Sequence, residues 1–299
     1  VPDAPCGDFH MPCGVAIAPG GAVRRRGAAG RGPGPALSGG LGGLGELFAA
    51  LPLIHDPWFY AVAVPAVLLM GISKSGFGAG FGALAVPLMA LTVPVPQAAA
   101  IMLPVLAVAD GFGMAALMRE ADRHLLRHLL PAGLVGVGVG WALFGVLSTA
   151  AVSGIVGALT LLFLAQRLVF KPRAEAHVPA RPIGLALGAA SGFTSFVAHA
   201  GSPPITIYLL PMRLAPLRYA ATLAVFFTVI NLSKWLPYGL LGLIDWRNMT
   251  TAVVLLPLAP LGVWIGVRLA RVIQPTLFYQ LVHLGMLLTG AKLLYDGLR

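Results

Sequence analysis

Two stretches carry most of the chemistry-bearing residues. The first is Gly71-Ile-Ser-Lys-Ser-Gly-Phe-Gly-Ala-Gly-Phe-Gly82, and the second is Gly192-Phe-Thr-Ser-Phe-Val-Ala-His-Ala-Gly-Ser-Pro-Pro204. Each mixes hydroxyl donors with one ionisable nitrogen group and with residues that interrupt helices. Ser73, Lys74 and Ser75 stand in the first; Thr194, Ser195, His199 and Ser202 stand in the second. Gly78, Gly80, Gly201 and Pro203 supply the interruption. Proline removes a backbone donor, and glycine trades helix propensity for conformational freedom. A helix starting after such a break directs free N–H groups and the positive end of its dipole outward, which suits an anion. Hydroxyls, an ammonium and an imidazole would add to that. Close helix packing through small residues is the competing reading for the glycines, since Gly76/Gly80 and Gly78/Gly82 have small-xxx-small spacing.

Three further polar residues lie in apolar surroundings. Asp110 is an acid inside a long apolar run, where an ionised group costs roughly 2.5–3.5 kcal/mol on insertion scales and so stands as a functional candidate. The other reading places it near a helix end, paired with a loop arginine. Asn231 and Lys234 are three residues apart and share a helix face. Lys234 faces an anion path or snorkels to the interface. Asp110 and His199 are the candidates for holding a coupling proton.

The elements that must position these residues are membrane helices. Of 299 residues, 58% are hydrophobic and 10% charged, with a mean hydropathy of +0.87. Soluble domains carry roughly 25% charged residues, so lipid must solvate the surplus apolar surface. The net charge of +10 does not indicate nucleic-acid binding, because the basic residues fall between long apolar runs rather than on one soluble face. Apolar runs predict ten segments, near 58–74, 79–93, 97–118, 127–147, 150–168, 183–197, 202–212, 217–242, 249–270 and 276–295. Residues 1–45, rich in Gly, Pro, Ala and Arg, read as a disordered tail and a dispensable leader or over-extended start, with 46–299 as the transmembrane domain. Cys6, His10 and Cys13 of the tail lack the ligand number of a metal site and read as incidental. No hydrolase, metalloprotease or nucleotide-binding motif is present, so the sequence predicts a non-enzyme with no cofactor.

The two halves match. Residues 71–110 align without gaps on 192–231 at an offset of 121, pairing Gly71 with Gly192, Ala79-Gly80 with Ala200-Gly201, and Asp110 with Asn231. At an offset of 126, Pro131 pairs with Pro257, and Gly136 with Gly262. Repeat one covers about 56–170 and repeat two about 183–299. Five segments per repeat is an odd number, so consecutive repeats insert upside down relative to each other, as in many secondary transporters. Charge sets the orientation. The loops of one face hold Arg119, Arg123 and Arg127; Arg167, Lys171, Arg173 and Arg181; Arg213 and Arg218; and Arg268 and Arg271. The other face holds Arg247, Lys292 and Arg299. The basic face is cytoplasmic by the positive-inside rule, which puts both termini outside. Broken segments at matching places in two halves point to a binding site near mid-membrane.

Several motifs carry a resemblance. Pro57-Trp-Phe-Tyr60, Gly71-Ile-Ser-Lys-Ser-Gly-Phe-Gly-Ala-Gly80 and Val86-Pro-Leu resemble the N-terminal half of the TauE/SafE sulfite exporter family. His199-Ala-Gly-Ser-Pro-Pro204, Tyr208-Leu-Leu-Pro-Met-Arg213 and Lys292-Leu-Leu-Tyr-Asp-Gly-Leu298 resemble its C-terminal half. The resemblance implies export of sulfite or organosulfonates across the bacterial inner membrane, with the two glycine-rich junctions as the substrate region. Ser202 stands where the family more often has glycine, which broadens the expectation to a small sulfur oxyanion or sulfonate. The alternatives are a passive anion channel and a non-transporting membrane scaffold. The expected partners are the small anion and the lipid bilayer, and the sequence leaves room for a homo-oligomer.

Overall fold

A computed structural model describes residues 51–74, 81–169, 178–272 and 275–299. The tail at 1–45, with Cys6, His10 and Cys13, lies outside the described residues, as do Ser75, Gly78 and Gly80 of the first junction.

The described residues form helices and no strand. The order is α1 (Pro57–Lys74), a 3-10 turn (Phe81–Leu84) running into α2 (Ala85–Met89), α3 (Val95–Leu117), α4 (Arg123–Phe144) and α5 (Thr149–Val169). There follow α6 (Arg181–Ala198), α7 (Ser202–Leu209), α8 (Pro216–Ser233), α9 (Trp235–Leu240), α10 (Trp246–Leu255), α11 (Leu258–Val272) and α12 (Pro275–Leu298). Among them, Pro57–Lys74, Arg123–Phe144, Thr149–Val169, Pro216–Leu240 and Trp246–Gly266 are long and apolar enough to cross a membrane, with Val95–Gly111 a shorter apolar stretch. Large apolar side chains stay on the outside: Trp58, Val146, Trp246 and Leu298 are each at least three-quarters exposed. Such a surface requires hydrocarbon around it.

Each expected segment has a helical counterpart, with two differences. Segment 217–242 is divided at Lys234, and segment 249–270 at Leu256–Pro257. Proline explains both. Pro237 has no N–H for the carbonyl of Ser233, and Pro260 has none for that of Leu256, which accepts from Ala259 instead at 3.1 Å. Helix starts are set locally. The Asp122 carboxylate accepts from the N–H groups of His124 and Leu125 at 3.0 and 3.1 Å and caps α4. Asp245 caps α10 through the N–H of Asn248 at 2.7 Å. Pro57, Pro216 and Pro275 open α1, α8 and α12, where no intrahelical donor is needed.

The most extensive helix pairs are α4 with α6, α5 with α12, α1 with α11, and α3 with α8. Glycine makes the closest of them. A Cβ on Gly136 would lie 1.9 Å from the carbonyl oxygen of Ala189, and one on Gly192 would lie 1.9 Å from that of Gly133. On the other pair, a Cβ on Gly71 would stand 2.6 Å from the carbonyl oxygen of Ala259, and one on Gly262 2.7 Å from that of Leu68. Backbone therefore lies on backbone at these crossings, as small residues permit. Gly71 and Gly192 thus serve helix packing, while Gly76, Gly78 and Gly80, for which packing is the competing reading, lie outside the described residues.

Candidate functional site

The second junction is a helical hairpin. α6 ends at Ala198, where His199 turns the chain in the left-handed region (φ 52°). The Ala200 N–H then donates to the Thr194 carbonyl at 3.1 Å, and the His199 N–H to that of Ser195 at 3.0 Å. α7 returns along α6: Gly201 faces Ser191 and Ser195, and Tyr208 faces Gly184. At about 1.5 Å per residue, the eight residues of α7 reach only about 12 Å. This hairpin turns back within the protein, and its tip is His199-Ala-Gly201.

Several hydroxyls at the tip hold the hairpin itself. Thr194 Oγ1 donates toward the carbonyls of Ala190 and Ala200, both at 2.9 Å, and Ser191 Oγ donates to that of Gly201 at 2.6 Å. A free Thr194 hydroxyl aimed at an anion is therefore not what the structure presents. Ser191, unmarked by the sequence reading, was detectable as the residue one helical turn before Ser195. Gly201 has no room for a Cβ, which would meet the Ser191 carbonyl at 2.8 Å and the Phe227 ring at 2.9 Å. Ser202, half-buried, and Pro203 and Pro204, buried, open α7. Pro203 and Pro204 have no N–H, so this helix start keeps its dipole but loses two of its four donors.

Lys234 lies where α8 gives way to α9, fully buried. Its Nζ donates to the Ser195 carbonyl at 2.8 Å and to Ser195 Oγ at 3.0 Å, and it lies 2.8 Å from His199 Nδ1. Three donors meet three acceptors. The cation also sits against the last carbonyls of α6, the negative end of that helix. Lys234 does not snorkel to an interface. His199 is fixed from both sides, because its Nε2 lies 2.8 Å from the Ala99 carbonyl of α3. A carbonyl can only accept, so Nε2 carries the proton and Nδ1 accepts from Lys234, which makes the ring neutral in this arrangement. Tyr238 of α9 was also unmarked. It is buried, donates from Oη to the Phe196 carbonyl at 2.6 Å and packs its ring edge-on against Phe196.

Asp110 is buried in α3, and each carboxylate oxygen has its own partner. Lys74 Nζ, at the end of α1, pairs with Oδ1, and Asn231 Nδ2, of α8, donates to Oδ2. Thr228 of α8 adds a bond to the Asp110 backbone carbonyl at 3.3 Å. The alternative reading, a loop arginine as the partner of Asp110, does not hold: the partner is the lysine of the first junction. Asp110 and Asn231, paired in the internal alignment, touch each other. Asn231 Oδ1 is buried and, among the described residues, without a partner.

Lys74 is one-third exposed and opens onto a cavity of about 680 Å³. Val108 and Ala109 of α3 line it, with Leu256, Pro257, Ala259, Pro260, Val263 and Trp264 around the α10–α11 break. Among the described residues Lys74 is its one charged lining residue. Ser73 is half-buried beside Gly82. No group of three or more metal-ligating side chains occurs among the described residues.

An ammonium thus pairs with a buried acid close to an interrupted helical hairpin. The family model for the sulfite exporter TauE/SafE matches residues 63–293. The chain belongs to the TauE/SafE sulfite exporter family. The match takes in both junctions, Asp110, Asn231 and Lys234. TauE/SafE proteins are multi-pass membrane transporters of the anion-exporter type and not enzymes. No curated protein and no solved structure is similar enough to the chain to match it.

Proposed function

We propose that this chain is a secondary transporter that carries a small sulfur-containing anion, sulfite or an organosulfonate, outward across the bacterial inner membrane. The observation that carries the reading is the cluster in which Lys74, at the end of α1, meets Asp110 of α3 and, through it, Asn231 of α8. Lys74 is the cation placed to receive the anion. Asp110 holds its charge while the site is empty and yields when the anion arrives. Gly201, Ser202 and Pro203 shape the opposite wall, and Ser195, His199 and Lys234 fix the hairpin tip. The described residues leave Ser73 beside this cluster and supply no placement for Ser75, Gly78 and Gly80, which the proposal assigns to the first wall.

Support for inverted repeats comes from the spacing of elements. The 3-10 turn at Phe81 and α7 at Ser202 begin 121 residues apart, as do α3 at Val95 and α8 at Pro216. α5 at Thr149 and α12 at Pro275 begin 126 apart. The crossing of Gly71 on Gly262 has a counterpart in Gly192 on Gly136. Two matched positions that touch, as Asp110 and Asn231 do, must straddle the axis relating the halves. Rocking of one half against the other about that axis would alternate access, with the basic loops cytoplasmic and both termini outside. If a proton moves on the protein, Asp110 and His199 are the groups to hold it, each with partners on both of its polar atoms.

The test is flux of labelled sulfite in proteoliposomes. Saturable movement against a concentration gradient, lost in Lys74→Met, is the expected result. Unsaturable flux that only runs downhill would indicate a channel. Flux unchanged by Lys74→Met would remove the site.

A further inference from the structure

The unpartnered carbonyl of Asn231 bears on which form of the anion is carried. Buried polar atoms are nearly always hydrogen-bonded, so an exception needs a reason. Asn231 is 97% buried, on the 3% exposure of the residue, and its orientation is set by Asp110: turned the other way, Oδ1 would face an anionic carboxylate. The cluster therefore presents an ammonium that wants acceptor oxygens and a carbonyl that wants a proton donor.

The charges around it make the same demand. α1 brings Lys74, α3 brings Asp110, and α8 brings Thr228, Asn231 and Lys234. α6 brings Ser195 and the His199 that follows it. α4 packs on α8 through Gly133, against Ile230 and Phe226, and adds no charge there. Lys74 and Asp110 cancel and His199 is neutral, so at most one positive charge, that of Lys234, is left to meet a ligand. One singly charged anion neutralises it. A dianion would overfill the site, set its second charge against Asp110, and bring no proton for Asn231.

Resting on the transport reading above, we propose that the site takes a sulfur oxyanion in its singly protonated, singly charged form: hydrogen sulfite rather than the sulfite dianion. The ligand oxygens sit on Lys74 Nζ, and the ligand hydroxyl donates to Asn231 Oδ1. That carbonyl is sealed in the present conformation, and the rocking of the halves proposed above opens it. Each sulfite then crosses with its own proton. Hydrogen sulfite enters from one side, and on the other it releases a proton to water and becomes sulfite to the extent the pH dictates. No protein group need change its protonation.

The experiment uses the full chain in proteoliposomes, with empty liposomes as the blank for leakage of dissolved sulfur dioxide. Initial rates of labelled sulfite and labelled selenite are measured across pH at fixed total concentration. Selenite keeps its last proton to higher pH than sulfite. Above the point where each ligand loses that proton, its flux should fall about tenfold per pH unit, and the selenite profile should lie at higher pH. Sulfate, which has no proton to donate at these pH values, should compete poorly. Coincident profiles for the two ligands would mean that a protein group titrates, and would overturn the inference, as would flux that rises with pH. Absence of flux for both ligands at every pH would instead remove the transport reading itself.

Discussion

Replacing Lys234 with methionine separates two roles for a buried lysine. If Lys234 lined the anion path, the substitution would raise KM and leave the fold alone. The geometry assigns it to holding the α6–α7 tip, so stability should fall. Three acceptors lose a donor, but unequally. The Ser195 carbonyl keeps the His199 N–H at 3.0 Å. Ser195 Oγ can rotate to a new partner. His199 Nδ1 is left bare, and the ring cannot answer by changing tautomer, because Nε2–H is held by the Ala99 carbonyl at 2.8 Å. One orphaned buried acceptor costs about 1–3 kcal/mol. Removing an ammonium that is 0% exposed returns part of that, since its desolvation is no longer required. The expected net is a loss of about 1–2 kcal/mol, or roughly 2–8 °C in Tm by the scaling for domains of this size. Thermal unfolding of the purified protein in detergent reads it directly, beside the substrate dependence of transport. Transport should fall through its maximal rate, because the tip is displaced. An unchanged Tm with a raised KM would refute the reasoning and return Lys234 to the anion path.

Other outcomes follow from the same contacts. Gly192→Ala and Gly136→Ala each place a Cβ 1.9 Å from a carbonyl oxygen across the α4–α6 crossing, so each should cost about 1–3 kcal/mol or more, read as lower Tm and lower folded yield. Gly138→Ala, with nothing within 4 Å, should be neutral or slightly stabilising by the same measure. Gly201→Ala should disturb the tip, where its Cβ would stand 2.8 Å from the Ser191 carbonyl; transport should drop more than stability does. Asp110→Asn removes the anion that occupies Lys74, so equilibrium binding of sulfite should tighten while steady-state flux falls.

Much of the fold is legible in the sequence because lipid imposes a strong pattern on it. Apolar runs between basic loops mark the helices to within a few residues: α5 was expected at 150–168 and spans Thr149–Val169. The breaks at Lys234 and at Leu256–Pro257 were missed, because Pro131 sits inside a continuous α4 while Pro237 and Pro260 sit at ends of helices. A proline alone does not reveal whether its neighbours will compensate it. The site was legible as residue types but not as partnerships. Lys74, Asp110, Asn231 and Lys234 stand out as rare polar residues in an apolar chain, yet nothing in their spacing shows that Lys74 reaches Asp110 while Lys234 turns to Ser195 and His199. Those pairings depend on how α1, α3, α6 and α8 cross. Thr194 failed differently. Hydroxyls near a helix end readily bond to backbone carbonyls, and this one does so instead of waiting for a ligand.

The meeting of Asp110 and Asn231 has a consequence for how such a protein could arise. On the two-fold reading, a chain of half this length pairing with its own copy would bring one residue face to face with itself at this spot. Two aspartates there would repel each other across a buried contact, and two asparagines would leave Lys74 without its acid. Neither homodimer can hold one carboxylate and one amide at once. Joining the halves into a single polypeptide lets the two positions mutate separately, and the pairing of one carboxylate with one amide beside Lys74 is then a product of gene fusion as much as of packing.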